Sequence, residues 1–105
     1  MVDFSADRDV TSLYTRWQAW LKHEKNYSSH TLSSYATDVA MFFSFLNQHF
    51  NGIVDLSAIK SVTTQDVRSW LTTFANDNYS ITSYARYSAA LRNFYKYLHK
   101  FENIT

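Results

Sequence analysis

The stretch SITSYARYSAALRNFYKYLHK, residues 80–100, decides the fold that this sequence predicts. On an α-helix its apolar side chains collect on one broad stripe, because successive residues are about 100° apart. That stripe consists of Tyr84, Tyr87, Ser88, Leu91, Phe94, Tyr95 and Leu98. The opposite face carries Thr82, Arg86, Ala89, Asn93, Lys96 and Lys100, and the stretch contains no acidic residue. A helix of this kind, roughly 30 Å long, can bury one face in a bundle and lay its basic face along a polyanion.

The composition indicates one helical domain. The chain has 105 residues, of which 46% are hydrophobic and 18% aromatic, with one glycine and no proline. So few turn-forming residues favour helices with short connections over a loop-rich sandwich. Cysteine is absent, which excludes disulfides and thiol chemistry. No apolar run approaches the roughly 18 residues of a membrane span, and the acidic N-terminus lacks a signal-peptide core. We therefore expect a cytoplasmic protein.

Apolar periodicity predicts an all-α fold with four helices. They are expected near residues 11–25, 29–50, 64–76 and 81–101. Residues 1–10 are expected to form a flexible, polar lead-in. Ser28 or Ser29 is the expected N-cap of the second helix, and Asn51-Gly52 its left-handed end. The connection over residues 53–62 can hold a single helical turn around Leu56–Lys60, and Thr63 to Asp66 is typical of a capping box.

Catalytic and metal-binding patterns are missing from the sequence. There is no glycine-rich phosphate loop and no Cys/His cluster, and the four histidines fall on different helices or helix ends. We therefore predict no catalytic residue, no cofactor and no metal. A small enzyme would need a pocket lined by titratable groups with shifted pKa values, and the sequence offers no candidate.

Two helix starts carry hydroxyl groups that could hold phosphate. Ser28-Ser29-His30-Thr31 opens the second helix, and Ser80-Ile81-Thr82-Ser83 opens the fourth. Hydroxyls placed over free backbone N–H groups, at the positive end of a helix dipole, bind anions. Ordinary capping is the simpler interpretation of either start taken alone, and a basic helical face is usually just a solvated face.

Three groups of residues, in this order and spacing, resemble the N-terminal domain of the tyrosine recombinases, the phage-integrase family with its Xer-like members. The first group is Tyr27-Ser28-Ser29-His30-Thr31 with Tyr35, Asp38-Val39, Phe42-Phe43 and Leu46. The second group is Val62-Thr63 with Asp66-Val67 and Trp70-Leu71. The third is Ser80-x-x-Ser83-x-x-Arg86-x-Ser88-Ala89-Ala90-Leu91-Arg92-x-Phe94-Tyr95-x-Tyr97-Leu98. The resemblance covers about residues 12–101, nearly the whole chain.

The resemblance implies a four-helix, SAM-like orthogonal bundle over residues 11–102, with residues 103–105 beginning a linker to a separate catalytic domain. In the family this core-binding domain forms half of a C-shaped clamp on DNA, with its second and fourth helices near the major groove. The DNA-binding residues implied by position are His30, Thr31, Ser33, Ser34, Thr37, Thr82, Ser83 and Arg86. Thr31 and Ser83 would hold phosphates, and Arg86 could reach a guanine edge. Since Arg86 lies outside the apolar stripe, Arg86→Ala is expected to fold normally.

The implied partners are double-stranded DNA at a recombination half-site and neighbouring recombinase protomers, with no membrane and no small-molecule substrate. When bound to DNA the protein would be associated with the nucleoid. The chain itself would be no enzyme, because the family's catalytic residues lie in the separate domain. The alternative is a SAM-like helical domain that binds other proteins, with exposed Trp20 or Phe45 as its contact patch.

Overall fold

Five α-helices make up the part of the chain that the computed structural model describes, residues 3–23, 26–75 and 81–104. They are α1 (Arg8–His23), α2 (Ser29–His49), α3 (Leu56–Ser61), α4 (Thr64–Ala75) and α5 (Ile81–Phe101). The predicted all-α class is confirmed. The predicted ends at residues 25 and 76 and the predicted cap at Ser80 lie outside the described residues. Within the described ranges, no helix combines the length and apolarity that crossing a bilayer requires.

Phe4 and Ser5 of the N-terminal segment pack against the bundle. The Phe4 ring lies edge-on to Phe43, with ring centroids 5.1 Å apart. The Asn47 side chain of α2 accepts a hydrogen bond from the Ser5 amide at 2.8 Å and donates one to the Ser5 carbonyl at 2.7 Å. α1 then begins at Arg8, earlier than the predicted residue 11, because the Asp7 carboxylate accepts a hydrogen bond from the backbone N–H of the third residue of the helix.

Local capping explains where the short helices begin. Asp55 accepts a hydrogen bond from the Ala58 amide at 2.8 Å and starts α3, so the predicted single turn is a helix of six residues. The predicted capping box is confirmed at α4, where Thr63 and Asp66 exchange side-chain-to-backbone hydrogen bonds of 2.8 and 3.2 Å. After α2 it is Asn51, with φ 56°, that adopts the left-handed conformation, and not the glycine that follows it. Asparagine tolerates this region better than most residues do.

Helix α5 is the centre of the bundle and contacts each of the other helices. Phe94 packs edge-on against Trp17 of α1 and Phe43 of α2, with centroid distances of 5.2 and 5.6 Å. Tyr87 lies 4.5 Å from Phe74 of α4. Aromatic rings therefore form the contacts of α5 with these three helices.

The buried face of α5 is broader than the predicted stripe. Ala90 and Tyr97, which the stripe omits, are buried. Asn93, assigned to the outer face, is half-buried and accepts a hydrogen bond from the Trp17 indole N–H at 2.8 Å. The reason is that neighbouring helices pack against α5 from more than one side, so its exposed arc is narrow.

The end of α5 is fixed by a compact polar cluster. Asn103 has φ 56°, and the Ile104 amide donates to the Leu98 carbonyl at 3.1 Å, so the helix ends in a left-handed turn that satisfies one of its last carbonyls. The Arg16 guanidinium binds both oxygens of the Glu102 carboxylate at 2.9 and 3.1 Å, and the Tyr97 hydroxyl donates to the same carboxylate at 2.7 Å. Asn103 and Ile104 therefore cap the helix, and the Ile104 side chain packs in the core.

The Arg16–Glu102 pair gives a pH prediction. Hydrogen bonding from Arg16 holds the pKa of Glu102 below its ordinary value of 4.5. A lowered folded-state pKa contributes stability that is present above the ordinary pKa and lost as pH falls through the folded value. Glu102→Gln should therefore melt at a lower temperature than wild type at pH 7. This gap in melting temperature should narrow as pH falls from about 5 to 3. Thermal melts across that range test this; a constant gap would contradict it.

Leu91→Ala should lower the free energy of unfolding by about 2–3 kcal/mol, the lower part of the usual range for such a truncation. Leu91 is 4% exposed but borders an open groove with Val67 and Tyr95, so the cavity can partly collapse or hydrate. Urea unfolding provides the measurement. The exposed neighbour Arg92→Ala is the control and should stay within about 0.5 kcal/mol of wild type. An unchanged midpoint for Leu91→Ala would mean that this face of α5 does not pack as described.

Candidate nucleic-acid interface

The N-terminus of α2 is capped by Ser28, as the sequence predicts. The Ser28 hydroxyl oxygen accepts a hydrogen bond from the Thr31 amide at 3.2 Å, and the hydroxyl donates to the Thr31 hydroxyl at 3.1 Å. Ser28 itself is extended, with ψ 156°. The cap thus occupies one of the N–H groups that the first turn leaves open. The others remain at the positive end of the helix dipole.

The side chains predicted on the outer face of α2 do lie together on the surface. His30, Ser33 and Thr37 are exposed, and Thr31 and Ser34 are half-buried. Helical spacing places His30, Ser33, Ser34 and Thr37 within one arc. This face is polar and carries no lysine or arginine.

A groove of about 740 Å³ runs beside this face, between α1 and α2. Ser33 and Thr37 line it from α2, and Lys22 and His23 from the end of α1. On its floor the Tyr14 hydroxyl donates to the Ala36 carbonyl, and burial raises the pKa of Tyr14 to about 12, so this hydroxyl stays protonated. The groove brings a basic side chain from α1 to the edge of the α2 face.

Arg86 of α5 is tied to α2 and is not a free outer-face cation. Its Nε and Nη2 donate to the two carboxylate oxygens of Asp38 at 3.0 and 2.9 Å. The Asp38 side chain is 0% exposed, whereas 45% of the Arg86 side chain is exposed. The expectation that Arg86→Ala folds normally is therefore not supported, because the substitution would leave a buried carboxylate without its partner.

Burial raises the pKa of Asp38, and this effect is larger than the opposing effect of the hydrogen bonds from Arg86. In turn, the hydrogen bonds to Asp38 raise the pKa of Arg86 above its already high ordinary value. Arg86 also lies over the Tyr87 ring, with the guanidinium carbon 5.1 Å from the centroid. The pair is thus a fixed, charge-assisted link between α2 and α5.

Sequence reasoning did not find the role of Asp38, although the residue is part of the quoted resemblance. One signal was available. Asp38 lies one turn from both Tyr35 and Phe42, within the apolar stripe of α2. A carboxylate in such a stripe needs a partner. Which residue supplies it depends on how the helices cross, which periodicity does not give.

The other predicted residues of α5 fall near its start. Ser83 is half-buried, and the Thr82 side chain lies outside the described residues. Farther along, the exposed arc is basic and continues from Arg86. It is formed by Arg92, Lys96, His99 and Lys100. We call these four residues the α5 basic stripe. Helix α5 therefore combines a fixed arginine near its start with solvated cations toward its end.

Trp20 and Phe45, suggested as an exposed contact patch, are half-buried. The Trp20 ring packs against Tyr97 and Phe101, with both centroids at 5.5 Å, and Phe45 stacks on His49 at 4.9 Å. Their burial corrects the expectation of exposure. Within the described ranges, no three His, Cys, Asp or Glu side chains gather as metal ligands.

The fold and this surface fit one family of domains. Residues 14–101 match the family model of the phage integrase N-terminal SAM-like domain. The match covers most of the 105 residues, so the chain belongs to this family. The resemblance inferred from the three residue groups is confirmed.

Two similar curated proteins are tyrosine recombinases named XerC. The chain is 40% identical over 94 residues to XerC of Rickettsia bellii and 35% identical over 94 residues to XerC of Rickettsia conorii. Each alignment covers 90% of this chain and 31% of the relative. The chain thus spans about a third of the length of the curated relatives it matches. Solved structures include no significant match.

Proposed function

We propose that this chain is the core-binding domain of a site-specific tyrosine recombinase and grips duplex DNA at a recombination half-site through α2 and α5. The observation that carries the proposal is the Asp38–Arg86 pair, which joins the two helices at bonds of 2.9 and 3.0 Å. Through this link the polar face of α2 and the basic side of α5 keep a fixed relation to each other. A rigid pair of faces suits the rigid geometry of a DNA duplex.

Each part of the surface has a chemical task in this proposal. Thr31, at the start of α2, and Ser83, near the start of α5, hold phosphates, since helix N-termini favour anions. In the proposed complex the major groove of the DNA is contacted by His30, Ser33, Ser34 and Thr37 of α2 and by Thr82 of α5. Arg86 reaches a guanine edge. The α5 basic stripe lies farther along the helix and binds phosphates without reading sequence.

We further propose that the chain does not cleave or join DNA itself and uses no cofactor. It would act together with a catalytic domain and with neighbouring protomers on the same DNA, in the cytoplasm and on the nucleoid. A covalent adduct between DNA and any tyrosine of this chain would contradict this part of the proposal.

Ser33→Asp and Thr37→Asp should each weaken binding to a labelled duplex about fivefold at low salt. The reason is that a new carboxylate about 4 Å from a phosphate is repelled by roughly 1 kcal/mol in water. Fluorescence anisotropy is the measurement. At physiological salt, wild-type dissociation constants are expected near 10⁻⁴–10⁻⁶ M, the non-specific range. Ser57→Asp is the matched control, because Ser57 is also exposed but lies on α3, outside the proposed interface. Equal weakening by all three would place the DNA elsewhere.

Lys100→Gln should lower affinity equally for all duplex sequences. The slope of log affinity against log salt should fall by at most about one unit, the value for one lost phosphate contact. Lys60→Gln on α3 removes the same charge from an exposed helix outside the proposed interface and should leave the slope unchanged. Identical slopes for wild type and Lys100→Gln would exclude this residue from the interface.

The alternative of a protein-binding SAM-like domain has one observation in its favour. Phe101 is 49% exposed at the end of α5, beside Trp20 and Tyr97. Exposed aromatic patches mark contact sites. If the chain bound no duplex at any salt but self-associated in sedimentation, with Phe101→Ser abolishing the association, this alternative would replace the DNA-binding proposal.

A further inference from the structure

We propose that Asp38 is a positioning residue for DNA recognition: from inside α2 it orients the guanidinium of Arg86, so that one edge of that group is presented to the base edges. This inference rests on the proposed function. Asp38 itself cannot touch DNA, since its side chain is fully buried. It acts only through Arg86.

The Asp38 carboxylate holds the Arg86 guanidinium at two points, an arrangement that we call the Asp38 clamp. The Nε and Nη2 groups of Arg86 donate to opposite oxygens of one carboxylate, at 3.0 and 2.9 Å. Two parallel hydrogen bonds fix both the position and the plane of the guanidinium. A free arginine side chain has many rotamers and loses that freedom on binding. Here folding has already restricted the side chain, so less freedom is lost when DNA binds.

The clamp leaves the other edge of the guanidinium available. Nη1 has no hydrogen-bond partner among the described residues, and 45% of the side chain is exposed. One N–H of Nη1 and the second N–H of Nη2 form a parallel pair, the arrangement that binds the O6 and N7 atoms of guanine. Ser34 precedes Asp38 on α2 by one turn and Thr37 by one residue, so the predicted polar face borders the residue that holds Arg86.

The charge of the pair indicates what kind of contact this is. Asp38 neutralises the charge of Arg86 at a distance of 2.9 Å, so the pair adds little to the net positive potential. Contacts that release counterions set the salt dependence of binding, whereas bidentate contacts to base edges set the sequence preference. Loss of the clamp should therefore lower sequence preference without lowering the salt slope. A purely structural ion pair would leave sequence preference unchanged in protein that remains folded.

The test starts from duplexes that wild-type protein enriches from a pool with a randomised 12-bp segment, compared with scrambled duplexes of the same composition. Asp38→Asn keeps the shape of the side chain but removes its charge and one acceptor. We expect the ratio of the two affinities to fall roughly tenfold, the effect of losing one bidentate base contact. Asp38→Asn leaves the charge of Arg86 uncompensated, so affinity for the scrambled duplex should not fall, and the salt slope should stay the same or rise by at most about one unit.

Two further variants keep the test decisive. Arg86→Lys retains a positive partner for Asp38 but lacks the parallel N–H groups of the guanidinium. It should lose the preference for the enriched duplex even if Asp38→Asn folds poorly. Leu91→Ala is destabilised without touching the pair and should keep the wild-type ratio. All titrations are made at a temperature where circular dichroism shows each variant folded.

The outcomes separate this inference from the function on which it rests. If wild type binds no duplex, the proposed function fails and this inference fails with it. If wild type binds DNA but enriches no sequence, if folded Asp38→Asn keeps the wild-type ratio, or if Arg86→Lys keeps it, DNA binding stands and the positioning role of Asp38 is overturned.

Discussion

Arg86→Ala is expected to lower the free energy of unfolding by about 3–4 kcal/mol. The substitution removes both hydrogen-bond donors from Asp38, whose side chain is fully buried. Breaking a buried ion pair from one side costs about 3–5 kcal/mol, because the remaining charge has lost its partner. The lower part of that range applies because 45% of the Arg86 side chain is exposed, so water can enter the space that the guanidinium leaves. Urea unfolding monitored by circular dichroism measures the loss.

A double substitution distinguishes the lost pair from the lost side chain. Asp38→Leu with Arg86→Met replaces both charges by apolar groups, which is often neutral or stabilising at buried pairs. The double variant should therefore be more stable than Arg86→Ala. If Arg86→Ala unfolded at the wild-type midpoint, the pair would contribute nothing to the fold, and the sequence-based expectation of normal folding would be restored.

Helix positions could be predicted from the sequence because they depend on local patterns. The spacing of apolar residues predicted the positions of α2 and α5. Short capping sequences predicted the start of α2 at Ser28 and the start of α4 at Thr63–Asp66. These signals act within a few residues, so one chain suffices to detect them. The family resemblance added the SAM-like arrangement, which no local pattern contains.

The contacts between helices could not be predicted in the same way. Asn93 and Arg86 were both assigned to the outer face of α5 by periodicity, yet Asn93 bonds Trp17 of α1 and Arg86 bonds Asp38 of α2. Periodicity gives the direction of a side chain relative to its own helix axis. How wide a face is buried depends on how many helices pack against it and at what angles.

The contacts of the N-terminal segment could not be predicted for a related reason. Its polar composition is typical of a loose end, but Phe4 and the backbone of Ser5 find partners 39 and 42 residues farther along the chain, at Phe43 and Asn47. A single apolar side chain and a backbone bond leave no periodic signal. The candidate site shares this limit, since the polar face of α2 could be predicted residue by residue, whereas the Asp38 clamp depends on a contact 48 residues apart.

Trp17→Ala should lower the free energy of unfolding by about 3–5 kcal/mol, the range for truncating a buried aromatic side chain to alanine. Trp17 is fully buried, packs edge-on against Phe94 at 5.2 Å, and donates its indole N–H to Asn93 at 2.8 Å. Its removal opens a cavity between α1 and α5 and leaves a half-buried amide oxygen without its donor. Chemical unfolding is again the measurement.

Trp17→Phe separates the two contributions, because it keeps most of the ring packing but removes the hydrogen bond to Asn93. It should cost about 1–3 kcal/mol, the penalty for leaving a buried polar group unsatisfied, and so less than Trp17→Ala. The additional change Asn93→Leu should recover part of that loss, since it removes the orphaned amide. If Trp17→Ala cost less than about 1 kcal/mol, well below the range for a buried tryptophan, α1 would not be packed on α5 through this residue. Other contacts would then have to hold α1 against α5.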